Sequence, residues 1–84
     1  MPVLARFHGM TVKMYFLGRE HNPPHVHFLC GDHMGVIEIR TQSMLEGDLP
    51  PRALAQAQTW TRLHQDELLE MWNTQNFRKL PPPD

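Results

Sequence analysis

The 84-residue sequence has a single cysteine, no long apolar run and almost no net charge. One cysteine excludes an intramolecular disulfide framework and a metal site built of cysteine alone. No run reaches the roughly 18 apolar residues of a transmembrane helix, and no secretory signal is recognisable. Eight basic and nine acidic residues leave a net charge of −1, which gives no bulk attraction to nucleic acid or an anionic membrane. We therefore expect a cytoplasmic protein without a membrane partner.

What is present is the composition of one small globular domain. Hydrophobic residues make up 40% and charged residues 20% of the chain, which argues against disorder. Domains rarely fall below about 50 residues, so a second one does not fit. We predict a single domain over residues 1–78. A proline-rich tail is expected over 79–84, because proline cannot continue a helix.

Alternating apolar and polar residues predict short strands in the first half of the sequence. We expect strands over residues 3–8, 11–17, 25–30 and 36–40, with a further short strand over 44–46. Turns are expected at Gly9-Met10 and over residues 31–35, where glycine stands at both ends. The strands over 25–30 and 36–40 should pair as an antiparallel hairpin.

Apolar residues at helical spacing fill the second half of the sequence. Asp48 is expected to cap the first helix, with proline in its first turn. One bent helix and two helices both fit the spacing, and a break near His64 is favoured. Together these patterns predict an α+β fold, in which a small antiparallel sheet of four to five strands is followed by C-terminal helices packed on one face.

Histidine is the residue type in excess. Five of the six histidines lie within a 26-residue stretch, around the segment from Glu20 to His27. Because successive side chains of a strand point to opposite faces, His25 and His27 should share one face, about 7 Å apart. We expect that face to lie away from the core, so that both histidines are surface residues.

The register of the hairpin predicts which side chains surround the histidines. Ile37 shares the core side with Val26 only if paired residue numbers sum to an odd value. The simplest sum, 65, closes a four-residue loop over 31–34, places Glu38 beside His27 and places Arg40 beside His25. The remaining residues predicted for this polar surface are Lys13, Tyr15, Glu20 and His21.

Three kinds of role fit this group of residues. Neutral imidazoles with a carboxylate bind zinc, nickel, copper or iron, and His21, His25 and His27 would be the ligands of such a divalent metal. Histidines also serve as acid and base in RNA cleavage, with Arg40 or Lys13 stabilising the phosphorane and no metal cofactor. The third role is structural, because histidines on a sheet often only form local hydrogen bonds.

Ordered motifs along nearly the whole chain resemble a family of small bacterial proteins, the domain of unknown function numbered 4160. The motifs are Arg6-Phe7-His8-Gly9, Met14-Tyr15-Phe16, His21-Asn22-Pro23-Pro24-His25-Val26-His27, Leu45-Glu46-Gly47-Asp48-Leu49-Pro50, Arg52-Ala53-Leu54, Trp60, Leu63-His64 and Glu67-Leu68-Leu69-Glu70-Met71-Trp72. The sequence departs from the family pattern at Leu29, Cys30 and Met71, outside the histidine segment.

The resemblance implies a partner protein more directly than a reaction. Such proteins look like members of two-gene modules similar to type II toxin–antitoxin pairs, with this family as the toxin. It implies a cognate small antitoxin encoded by the neighbouring gene, and toxic action on RNA or the translation machinery. The alternatives are a metal-binding or hydrolytic small enzyme and a non-enzymatic protein-interaction module.

Overall fold

The structure, a computed structural model, describes residues 2–15 and 22–83. Within these residues the elements are β1 (Val3–Phe7), β2 (Met10–Lys13), β3 (His25–Cys30), β4 (His33–Glu38), β5 (Met44–Gly47), α1 (Pro51–Leu63) and α2 (Gln65–Thr74). The strands form one antiparallel sheet in the order β1-β2-β3-β4-β5. The predicted α+β fold is confirmed.

The strand bounds differ from the prediction where the turns are tighter than expected. β3 has the predicted bounds, but β4 begins at His33, three residues early, because the turn contains only Gly31 and Asp32. Gly31 has a φ of +59°, and glycine at the first central position is favoured in tight two-residue hairpins. β2 begins at Met10 because His8 and Gly9 form the preceding turn. The end of the predicted second strand, at residues 16–17, lies outside the described residues.

The core lies between one face of the sheet, called the inner face here, and the two helices. Val12, Phe28 and Ile37 on this face are fully buried, as is Trp60 of α1. The Trp60 ring lies 5.9 Å from that of Phe28, centroid to centroid. Each such large apolar side chain contributes about 1.5–3 kcal/mol through burial.

The helical half of the chain confirms the predicted break and corrects the predicted cap. His64 ends α1 and precedes α2, so two helices are present rather than one bent helix. α1 begins at Pro51, as proline in the first turn predicts, but Pro50 occupies the N-cap position without a side-chain hydrogen bond. Asp48 does not cap the helix, because its carboxylate faces His33 and the backbone N–H of Met34 on the neighbouring strand.

Residues 79–83, called the C-terminal strap here, run without regular structure against the body of the domain. Leu80 is buried, and its N–H donates a 2.8 Å hydrogen bond to the carbonyl of Leu4 on β1. The carbonyl of Pro81 accepts hydrogen bonds from Trp60 Nε1 at 3.0 Å and His64 Nε2 at 3.1 Å. The segment expected as a tail therefore lies along β1, at the edge of the sheet.

Candidate functional site

The candidate site lies on the sheet face opposite the helices, called the outer face here. The register assigns alternate residues of each strand to this face. Its members in the argument are Arg6, Lys13, His25, His27, Val36, Glu38 and Glu46, and Tyr15, which follows β2, joins them through its ring contact with His27.

His27 is the centre of an aromatic cluster on the outer face. Its ring centroid lies 5.3 Å from that of His25 and 4.4 Å from that of Tyr15, both in edge-on contact. Lys13 is directly opposite His27 in the register of β2 and β3. The structure brings these four residues together, and their chemical roles stay predictions.

The pairing of β3 with β4 has the predicted parity but a different register. Val26 pairs with Ile37, so both face the core as expected. Because the turn has two residues rather than four, Glu38 lies opposite His25 and Val36 lies opposite His27. The prediction of Glu38 beside His27 was therefore wrong, because β4 is displaced by two residues from the predicted pairing.

Arg40 does not lie opposite His25, which corrects its predicted position, because Glu38 takes that place in the register. It follows the end of β4, in the turn that leads to β5. Its carbonyl accepts hydrogen bonds from the side-chain amides of Gln42 and Gln65.

His25 is buried, although the sequence predicted a surface residue. Only 8% of it is exposed, because its ring packs on that of Trp72 in α2, 4.9 Å away between centroids. Its Nδ1 lies 2.8 Å from the carbonyl oxygen of Pro23, which only accepts, so Nδ1 carries a proton. In the neutral ring the lone pair is then on Nε2, and this hydrogen bond sets both tautomer and orientation.

A cavity of about 220 Å³ opens beside the two histidines. Leu45 and Glu46 of β5 and Val36 of β4 form its other side. We call it the histidine cavity, and its lining is Asn22, Pro23, His25, His27, Val36, Leu45 and Glu46. The contribution of β5 was not predictable from the sequence, since the position of that strand depends on the hairpin register.

Charge is distributed unevenly on the outer face. Arg6 on β1 and Lys13 on β2 lie on one side of the histidines. Glu38 on β4 and Glu46 on β5 lie on the other side. The nearly neutral chain therefore has a basic and an acidic half on this face.

Two residues of the predicted site, Glu20 and His21, lie outside the described residues. Among residues 2–15 and 22–83, no three His, Cys, Asp or Glu side chains are placed to hold a metal ion together. The metal set predicted from His21, His25 and His27 therefore stays a prediction that depends on His21.

Comparison with known families matches residues 9–73 to the domain of unknown function DUF4160. The chain belongs to this family. The DUF4160 match runs from the start of β2 into the last turn of α2 and includes His25 and His27. Comparisons with curated proteins and with solved structures found no match. No helix in the described part of the chain is long and apolar enough to cross a membrane.

Proposed function

We propose that the chain is the toxin of a bacterial type II toxin–antitoxin module, and that it cleaves RNA in the cytoplasm through His25 and His27. The observation that carries the proposal is the pair of imidazoles 5.3 Å apart at one cavity, one of them oriented by the carbonyl of Pro23. Two adjacent histidines are a suitable acid and base near neutral pH. The resemblance to two-gene modules supplies the biological setting and the neighbouring gene's antitoxin as partner.

The proposed reaction uses the 2′-hydroxyl of RNA as an internal nucleophile. Nε2 of His25 accepts the proton of that hydroxyl while its oxygen attacks phosphorus. The bond from phosphorus to the 5′-oxygen breaks, and this oxygen takes a proton from the His27 ring. The products are a 2′,3′-cyclic phosphate and a 5′-hydroxyl, and exchange with water restores the two protonation states.

Two further residues support this chemistry by their position. Lys13, opposite His27, stabilises the charge that develops on the phosphoryl oxygens. Tyr15, edge-on to the same ring, offers a flat surface on which an unpaired base stacks. Both lie towards the basic half of the outer face, where a phosphate backbone is attracted.

The test uses substitutions that remove the proton-transferring nitrogens with little change in shape. His25→Asn keeps an N–H at the position of Nδ1, for the carbonyl of Pro23, and removes Nε2. His27→Phe keeps the aromatic contacts and removes both nitrogens. Each change should slow cleavage of a single-stranded RNA by about 100- to 10,000-fold and relieve growth arrest on expression.

The matched control is His8→Asn, at an exposed histidine in the turn between β1 and β2. Its φ is +49°, a conformation that asparagine tolerates, so fold and activity should both be kept. Circular dichroism establishes that each variant is folded. Folded His25→Asn and His27→Phe variants that still arrest growth as the unchanged protein does would refute the assigned chemistry.

A further inference from the structure

The acidic half of the outer face is also the half that closes the histidine cavity. Glu46 lines the cavity directly, and Glu38 lies opposite His25 in the strand register. Leu45, which is 45% exposed, forms the apolar rim. An RNA phosphate is attracted to the histidines from the basic half, whereas the acidic side of the cavity attracts a cationic ligand.

The cavity combines features that suit a long basic side chain. Val36, Leu45 and Pro23 provide apolar surface for a methylene stem, and the carboxylate of Glu46 provides a counter-charge for its head group. The volume of about 220 Å³ exceeds that of an engineered cavity of about 150 Å³ that holds benzene, so one such side chain fits.

We propose that the histidine cavity receives an arginine or lysine side chain from the antitoxin, which thereby blocks the histidine pair. This inference rests on the proposed function. It adds the site at which the antitoxin inhibits the toxin and the type of side chain that binds there. The basic side chain binds between Glu46 and the histidines, and the surrounding antitoxin surface covers Leu45. Bound in this way, it lies against His25 and His27 and keeps RNA from reaching them.

Charge favours this partner over a second copy of the same chain that pairs through β5. β5 and the residue after it carry Glu46 and Asp48 and no basic residue. Two copies joined through this strand would bring like charges together, which is destabilising when they face each other directly. A partner with basic residues at the contact avoids this repulsion.

The experiment titrates the purified product of the neighbouring gene into this protein in a calorimeter. Leu45→Asp and Glu46→Lys should each weaken binding by about 30-fold or more, the size of a hot-spot loss. The matched controls are Leu63→Asp and Asp66→Lys, at an exposed leucine and an exposed aspartate on the helices. Both controls should bind as the unchanged protein does.

A charge exchange identifies the inserted side chain. Each arginine and lysine of the gene product is changed to glutamate in turn. One of these variants should no longer bind the unchanged protein but should bind the Glu46→Lys variant. Equal binding by Leu45→Asp, Glu46→Lys and the controls would overturn the proposal, and so would a gene product that does not bind at all. Growth arrest by this chain expressed alone is scored separately, so the toxin assignment stands or fails independently of the cavity.

Discussion

At the scale of single residues, His25 shows what alternation along a strand predicts and what it leaves undetermined. The face of the sheet was predictable, because the period of two in β3 is unambiguous. Its burial was not, because Trp72 reaches it from α2, a contact set by the tertiary packing of the helix. The hydrogen bond to Pro23 is local, but the histidine-proline spacing alone does not specify which ring nitrogen donates it.

Asp48 provides a prediction at the same scale. The hydrogen bond from His33, together with that from the Met34 N–H, lowers the pKa of the Asp48 carboxyl below its ordinary value. A carboxyl whose pKa is lower in the folded state stabilises the fold above its unfolded pKa, and this contribution is lost as the pH falls through the folded pKa. Asp48→Asn should therefore reduce the urea midpoint at neutral pH.

The difference between Asp48→Asn and the unchanged protein should narrow as the pH falls below about 4 and disappear under more acidic conditions. Urea unfolding followed by tryptophan fluorescence across this range measures it. A gap that stays constant with pH would contradict the assignment, since the loss would then come from packing and not from the charge.

At the scale of elements, the hairpin turn decides which side chains meet on the outer face. The observed turn at Gly31 and Asp32 is two residues shorter than the predicted loop over 31–34. The register therefore differs by an even number of residues, and each side chain stays on its predicted face of the sheet. The composition of the turn permits both lengths, and alternation does not separate them. Face assignments were therefore predictable, whereas the neighbours of each histidine, including Val36, Glu38 and Arg40, were not.

Gly47 provides the prediction at this scale, because it lies where β5 pairs with β4. Its φ is +110°, and a Cβ there would meet the backbone carbonyl of Met34. Gly47→Ala should cost about 3 kcal/mol or more, since relief requires the two strands to separate. Thermal unfolding measures the loss.

The matched control is Gly9→Ala. Gly9 also has a positive φ, of +76°, but a Cβ there would meet nothing within 4 Å. This change should cost only about 1 kcal/mol of backbone strain. Similar losses at Gly9 and Gly47 would show that φ alone, and not the close approach of β4 and β5, makes glycine necessary at residue 47.

At the scale of the whole molecule, Trp60 joins the sheet, the helices and the C-terminal strap. It is fully buried, contacts the ring of Phe28 and donates its indole N–H to Pro81. Trp60→Ala should lower the free energy of unfolding by about 3–5 kcal/mol, because a large cavity remains in a small core. Trp60→Phe keeps most of the packing and loses the hydrogen bond, so about 1–2 kcal/mol is expected.

Urea unfolding followed by circular dichroism compares the two Trp60 variants. A loss at Trp60→Phe as large as that at Trp60→Ala would mean that the hydrogen bond to Pro81, and not the ring's volume, holds the molecule together. The sequence predicted Trp60 as a core residue from helical spacing. The sequence did not predict that the indole N–H bonds to Pro81, because a run of three prolines does not indicate where the chain packs against the sheet.

The hydrogen bond between Leu80 and Leu4 has a consequence for biosynthesis. β1 is translated before every other element described here, yet Leu80, whose N–H pairs with the free edge of β1, is made after both helices. During synthesis the backbone groups of that edge stay open to pairing with other nascent chains, the usual route to aggregation of unfinished sheets. A ribosome-bound chaperone that recognises extended segments would therefore meet β1 before the chain's own C-terminal strap does.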